Sequence, residues 1–169
     1  MQKIIFLYGP SCSGKSKISE EILKNENFFH VHHDRIKWFI SDYHRDNKIH
    51  RSLIAEIMMS LIKQSFDKGF SILIEGLSLD LFEEVNQKYK AQARVIPIYV
   101  IASKEVLEKR FLERVESAKN SNRKISNLSL DVFWQVYEKF SQKLGYGETI
   151  DTSEISVAET LEEVNSYIN

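Results

Sequence analysis

The chain has 169 residues, 43% hydrophobic and 28% charged, with a formal net charge of -1, the profile of one globular domain long enough to bury a core. That balance excludes a protein whose main task is gripping long nucleic acid, which needs a strong basic excess, but not one that binds the end of a short strand. A lone cysteine, Cys12, excludes an internal disulfide, and the lack of a bilayer-length apolar run or a signal-peptide pattern makes a cytoplasmic protein the expectation.

In chain order, KIIFLY at 3–8 is a continuous apolar run, the mark of a strand buried on both faces. Residues 15–25 follow as a helix with Ile18, Ile22 and Leu23 on one side, and FFHVHH at 28–33 is a second strand. Residues 34–44 and 49–68 read as helices, the latter with Leu53, Ile54, Ile57, Met58, Leu61 and Ile62 at helical spacing. Gly69 leads into a third strand, FSILIEG at 70–76, and residues 79–90 form a short helix. RVIPIYVIA at 94–102 is a fourth strand, in which Pro97 belongs near the start because it cannot donate to a central ladder. A helix at 103–118, a polar stretch at 117–127, an aromatic-rich amphipathic helix at 129–144, a strand at 148–151 and a helix at 156–168 complete the chain. Strands alternating with helices imply a single α/β domain over 1–169, with a five-stranded parallel sheet covered on both faces.

Between the first strand and the first helix lies GPSCSGKS, residues 9–16. Its G-x-x-x-x-G-K-S spacing, in a strand–loop–helix setting, describes a phosphate site. Gly9 and Gly14 permit backbone angles closed to other residues. Successive N–H groups through Ser11, Cys12, Ser13, Gly14, Lys15 and Ser16 can then form a nest for phosphate oxygens, beside the positive end of the helix. Lys15 brings a point charge to the outer phosphates, and Ser16 a hard oxygen suited to Mg²⁺.

A phosphate loop names the ligand and not the reaction. The Asn-Lys-x-Asp segment that reads guanine is absent, because Asn47-Lys48 is followed by Ile49 and His50. The third strand ends LIEGLS, without the Asp-x-x-Gly of a switch, and the chain is small for a motor ATPase. A compact kinase remains.

Five patches carry a resemblance: GPSCSGKS (9–16), HHD (32–34), ILIEGLSLDLFEEV (72–85), IYVIASKEVLEKRFLERV (98–115) and TIDTSEISVAE (149–159). Together they resemble the small P-loop kinases of the polynucleotide 5′-kinase, zeta-toxin and chloramphenicol phosphotransferase group, and more distantly shikimate, gluconate and nucleoside monophosphate kinases. The first patch is specific to the superfamily and the rest are persuasive jointly. The resemblance implies a P-loop NTPase fold of three α/β/α layers with a small helical lid around 110–127. It implies ATP and Mg²⁺ as ligands, and transfer of the γ-phosphoryl group to a hydroxyl of a small-molecule acceptor. A 5′-hydroxyl polynucleotide kinase and a non-catalytic ATP-binding regulatory module are the alternatives.

The resemblance also implies roles. Asp34, at the carboxyl end of the second strand where the crevice opens, would take the proton of the acceptor hydroxyl; the same residue suits the N-cap of the next helix. Polynucleotide kinases place an arginine three residues after this acid. Here stands Lys37, which lacks a bidentate grip on phosphate, and this counts against a polynucleotide acceptor. Glu75 would stand near Mg²⁺ or the acceptor, or else cap the following loop, and Gly76 would permit close approach. Arg110 and Arg114, sharing a helix face, would open the lid, one on the nucleotide and one on the transferring phosphoryl group, with Arg123 and Lys124 as further lid cations. Ordinary surface pairs with Glu108, Glu113 and Glu116 are the competing reading.

All five histidines, His30, His32, His33, His44 and His50, fall within 30–50, but no cysteine or carboxylate stands at zinc-ligand spacing. One or two of them are expected to line the acceptor pocket. Trp38 and Phe39 are acceptor-pocket candidates by position, and a mildly basic set around 35–51 either meets an anionic acceptor or is a solvated face. Trp134 falls off the apolar stripe of its helix, and Cys12 is either an oxidation-sensitive thiol or a small loop-filling residue. No membrane partner is expected, and the oligomeric state is open.

Overall fold

The computed structural model describes residues 1–25, 27–44, 47–76, 79–120, 129–141 and 147–168. Strand β1 (Lys3–Tyr8) lies at the centre of a five-stranded sheet. Helix α1 (Lys15–Asn25) leads to β2 (Phe28–His32), the short α2 (His33–Lys37) and the long α3 (Lys48–Asp67). Then come β3 (Ser71–Glu75), α4 (Leu79–Tyr89), β4 (Arg94–Ile101), α5 (Lys104–Asn120), α6 (Leu130–Ser141), β5 (Glu148–Asp151) and α7 (Val157–Ile168). The strand order is β2-β3-β1-β4-β5 and all pairs are parallel.

Alternation along β1 sends Ile4, Phe6 and Tyr8 to one face and Ile5 and Leu7 to the other. The first set packs with Ile54, Met58 and Ile62 of α3 and Phe82 and Val85 of α4. The second packs with Ile18 and Ile22 of α1 and Val164 and Ile168 of α7. The strand is therefore apolar throughout because it has no solvent face. A third cluster joins Leu107 and Phe111 of α5 to Phe133 of α6, with the Phe111 and Phe133 rings 4.7 Å apart, and Cys12 packs against its edge. Trp134 also leans on this cluster, 5.0 Å from Phe133 and 5.4 Å from Tyr137.

The sequence-based elements hold with one substantive correction. The helix expected over 34–44 stops at Lys37. Phe39 and Ile40 then donate to carbonyls three residues back, a tightening turn. Ile36 is the buried residue of α2, whereas Trp38 and Phe39 are 63% and 81% exposed. Without an apolar face to bury, a helix this short cannot propagate. In α3, Ile54, Met58 and Ile62 are buried, while Leu53 lies on the rim of the stripe and is exposed. Residues 142–144, expected to end α6, lie outside the described residues.

Pro97 pairs with Phe6 on one side, while β5 begins one residue further on, opposite Ile98. It therefore sits where β4 is still an edge and no donor is needed there. No helix among the described residues is long and apolar enough to cross a membrane.

Gly147, just before β5, has φ +84, and a Cβ there would lie 2.1 Å from the Pro97 carbonyl oxygen. Gly147→Ala combines a left-handed backbone with a clash against a strand that cannot yield. It is expected to destabilise the chain by about 2 kcal/mol or more, read as a fall in urea midpoint; an unchanged midpoint would show that the β4–β5 junction is not rigid.

Candidate active site

Parallel pairing brings the carboxyl ends of the strands to one edge of the sheet, and the loops leaving β1, β2, β3 and β5 meet there. The loop 9–16 leaves β1 at Gly9, which has φ +145; a Cβ would fall 2.0 Å from the Val100 carbonyl oxygen, so the loop's first turn lies directly on the backbone of β4. Cys12 at φ +66 and Gly14 at φ +100 also take left-handed angles. Ser13 is fully buried, and Lys17 and Ile18 donate to the Gly14 carbonyl, so α1 is seated on the loop. Lys15 Nζ curls back to the Pro10 carbonyl at 2.6 Å. Burial lowers the Lys15 ammonium to about 8, partly countered by the charges of Glu75, Asp34 and Cys12 and assisted by Arg114.

Glu75 ends β3, shares a face with Leu73 and is 3% exposed. Its Oε1 accepts from Ser16 Oγ at 2.6 Å. The His32 Nε2 lies 3.6 Å from Oε1, and His30 Nε2 lies 3.4 Å from Oε2. Neither contact is aligned as a good hydrogen bond, and Oε2 is buried without a hydrogen-bond donor among the described residues. Burial alone would raise this carboxyl. The facing His30, Ser16 and His32 outweigh it and hold Glu75 at about 2.

His32 is the N-cap of α2 and its Nδ1 accepts from the Asp34 N–H at 3.1 Å. That bond makes Nδ1 the acceptor, so the ring proton resides on Nε2 and faces Glu75. Burial keeps the imidazole below its ordinary value against the pull of Glu75 and Asp34, which preserves the neutral tautomer. Ser16 and the Asp34 backbone are thus linked through Glu75 and His32, with a hydrogen bond at each end and a 3.6 Å approach between the carboxylate and the ring.

The cap of α2 is His32 and not Asp34, so the Asp34 carboxylate is left for side-chain partners. Its Oδ1 takes Lys37 Nζ at 2.8 Å and His33 Nδ1 at 3.3 Å, and the side chain is 55% exposed to the cleft. Partial burial pushes the carboxyl up, but His33 and Lys37 together hold it well below the ordinary aspartate range. Gly76 makes room for this turn, since a Cβ there would lie 3.1 Å from His33 Cβ.

Arg110 and Arg114 project from α5 into the same cleft. Arg110 donates to Thr152 Oγ1 at 2.9 Å, to the Thr152 carbonyl at 2.8 Å and, more weakly, to the Cys12 carbonyl at 3.4 Å. Arg114 is exposed, and among the described residues neither arginine pairs with Glu108, Glu113 or Glu116. Arg123 and Lys124 lie outside the described residues.

The cleft encloses about 590 Å³ and brings together Ser11, Cys12, Gly14, Lys15 and Ser16 with His32, Asp34, Arg35, Lys37, Trp38 and Glu75. Gly9, Ser13 and Gly76 shape its backbone from beneath. Sequence reasoning overlooked two parts of the site. The His32 cap could have been suspected from its position two residues before Asp34. Thr152 becomes visible only when the end of β5 is laid beside the loop. His44 and His50 are remote from these contacts: the His44 N–H donates to His50 Nδ1, and His50 stacks on Tyr43. Among the described residues, no three His, Cys, Asp or Glu side chains are grouped to hold a metal ion.

Because folded Glu75 takes its proton only near pH 2, the unfolded chain binds protons first as the pH falls. Its contribution, on the order of 3 kcal/mol, is complete above the ordinary glutamate range and is lost progressively as the pH falls from that range through the folded value of about 2. Urea midpoints measured from about pH 6 to about pH 3 are expected to fall more steeply for the wild type than for Glu75→Gln. Parallel curves would show that the carboxylate's partners only cancel its burial.

The chain matches the family model described as Zeta toxin over residues 2–167. No curated protein sequence matches it. Among solved structures it is similar to a sugar kinase from Janibacter sp., at 14% identity over 99% of this chain and 95% of that one, with a TM-score of 0.69. It is similar to the APS kinase of Mycobacterium tuberculosis in complex with AMPPNP and APS, at 12% identity over 99% and 97% of the two chains, with a TM-score of 0.65. It is also similar to a chain of the Pnkp1/Rnl/Hen1 RNA repair complex, at 16% identity over 86% of this chain and 47% of that one, with a TM-score of 0.68. At such identities the likeness is one of fold, the kinase-like P-loop architecture of a parallel sheet between two helical layers. The family match, in contrast, spans nearly the whole chain, and the chain belongs to the Zeta toxin family.

Proposed function

We propose that this protein is an ATP-dependent kinase that transfers the γ-phosphoryl group to a hydroxyl of a small-molecule acceptor. The observation that carries this reading is the placement of Asp34. Its Oδ1 is held by Lys37 and His33, and it lines the same cleft as Lys15 and Arg114. A module that only bound nucleotide would have no use for a fixed carboxylate across from the phosphate loop.

The loop 9–16 would cradle the ATP phosphates, with Lys15 leaving the Pro10 carbonyl for the outer ones. Ser16 Oγ and Glu75 suit Mg²⁺, a hard cation that takes one or two protein oxygens beside phosphate, and the buried, donor-free Oε2 of Glu75 supports the fit. When bound, the metal would neutralise charge on the phosphate oxygens. Asp34 orients the acceptor hydroxyl, whose oxygen forms the new bond to the γ-phosphorus while the bond to the β–γ bridging oxygen breaks and ADP leaves. The hydroxyl proton passes to Asp34. Its depressed affinity for protons makes it a weak base, which suffices because nucleophilic push contributes little in a loose transition state. Arg114, exposed and without an ion-pair partner among the described residues, stabilises the transferring group. The C-terminal part of α5, where Arg114, Ser117 and Ala118 line the cleft, would belong to the lid that excludes water; residues 121–127 of the expected lid lie outside the described residues.

On the acceptor side, the charge of Lys37 is committed to Asp34. Arg35 is exposed with no ion-pair partner among the described residues, and the Trp38 ring is mostly open to the cleft. This favours an acceptor with an anionic group and a flat or apolar face. The open Trp38 ring is also the one observation that favours the second reading, a 5′-hydroxyl nucleic-acid end whose terminal base stacks there.

Terminally labelled ATP incubated with pooled cell metabolites or with a 5′-hydroxyl oligonucleotide separates these readings, with Lys15→Ala as the control. Label in a metabolite is expected; label on the oligonucleotide promotes the second reading, and label in neither tube despite nucleotide binding leaves a regulatory module. Lys15→Ala should abolish the ATP-induced rise in melting temperature. Asp34→Asn should keep that rise and lower turnover by about 10²-fold or more; turnover that survives Asp34→Asn would remove Asp34 from the mechanism. Arg35→Ala should raise KM for the acceptor by about tenfold and leave KM for ATP unchanged. An unaltered acceptor KM would sink the anionic subsite.

A further inference from the structure

Thr152, the residue after β5, is 5% exposed and is joined to three separate elements. Its Oγ1 lies 2.9 Å from the Ser13 carbonyl and 3.1 Å from the Ile101 carbonyl, and it receives Arg110 Nη1 at 2.9 Å. A hydroxyl has one proton to give, and the nearer acceptor is Ser13. Arg110 therefore donates into the hydroxyl, and the hydroxyl donates into the phosphate loop, a charged donor polarising the second bond. The other arm of Arg110 closes on the Thr152 carbonyl, and its Nη1 also reaches the Cys12 carbonyl.

This arrangement bears directly on the loop's strained part. Cys12 holds φ +66 without being glycine, a conformation that persists only where the surroundings over-determine it. The two carbonyls tied from outside, Cys12 and Ser13, directly follow that strained bond in the chain. In a trans peptide the carbonyl and the following N–H point in opposite directions. A Ser13 carbonyl drawn outward to Thr152 therefore turns the Gly14 N–H to the inner side of the loop, and among the described residues that N–H has no acceptor in the protein.

The geometry points to Thr152 as a positioning residue that, driven by Arg110, holds the Ser13–Gly14 peptide in its phosphate-binding orientation. Thr152 itself touches no phosphate, and the inference rests on the reading of residues 9–16 as the phosphate site. Both arginines line the cleft; the guanidinium of Arg110 is bonded to Thr152 and the loop, whereas Arg114, four residues on, has no ion-pair partner among the described residues.

The test measures binding of ADP and of inorganic tripolyphosphate, which has no base, by titration calorimetry well below the melting temperature. Thr152→Val keeps the shape and removes the hydroxyl; it is expected to weaken both ligands by about tenfold or more, the scale of a lost charge-assisted hydrogen bond. Thr152→Ser restores the hydroxyl and should bind both within about threefold of the wild type. Thr152→Ala, which removes the same hydroxyl with less bulk at the buried position, should reproduce the loss and carries the test if Thr152→Val does not fold. Wild-type affinity in Thr152→Val, an equal loss in Thr152→Ser, or a loss for ADP without one for tripolyphosphate would each overturn the clamp. A wild type that binds neither ligand would overturn the phosphate site itself, a separate failure.

Discussion

The site depends on parallel pairing around β1. Because Leu7 stands beside Glu75, Glu75 beside His32 and Ile101 beside Asp151, all of these strands end at one edge, and every loop carrying a polar side chain of interest leaves from that edge. Nothing polar is needed along the strands to bring this about. The driving force is burial of Ile4, Ile5, Phe6 and Leu7, each fully inaccessible, between two helical layers. Parallel sheets demand such cover on both faces, and the helices that supply it carry the chain back so that each strand begins again at the far edge.

At the near edge, charges are arranged so that few are left without a counterpart. Glu75 is the deepest of them, and a carboxylate so buried persists because Ser16 donates to it and two imidazoles face it. The same carboxylate joins the loop side of the cleft to the Asp34 side, because His32 turns one ring nitrogen toward Glu75 and the other to the Asp34 N–H. Displacement of α1 relative to β2 would therefore be felt at Asp34. On the opposite flank, Arg110 and Thr152 tie α5 and the end of β5 to the loop. The phosphate loop is thus braced on both sides, on one by Glu75 acting on Ser16 and on the other by Thr152 acting on Ser13.

The elements read well from the sequence where apolar pattern and burial coincide. β1, β3 and β4 are runs of aliphatic residues bounded by glycine or polar turns, and α1 and α7 have clear apolar stripes. Reading failed over 34–44, where helix-compatible residues continue past Lys37 but Trp38 and Phe39 find nothing to pack on. Exposure of that kind belongs to the tertiary environment and leaves no local trace. For the site, the loop residues, Asp34, Glu75 and the α5 arginines were legible because each falls at a strand end or on one helix face in register with a motif. Their partners were not. Lys37, weighed as a phosphate ligand, is paired with Asp34, and His32, weighed as a pocket-lining residue, is also the cap of α2.

What the sequence determined by itself is local: a strand, a glycine-permitted loop and a helix in immediate succession, in which Gly9 and Gly14 admit the backbone angles that a phosphate loop needs. What only the tertiary structure decided is which distant groups complete that loop. Thr152 is 139 residues from Ser13 and Glu75 is 59 from Ser16, and no periodicity spans such separations. They meet because strand order in a buried parallel sheet is chosen by packing of whole faces, and that choice sets β3 against one side of β1 and β4, with β5 beyond it, on the other.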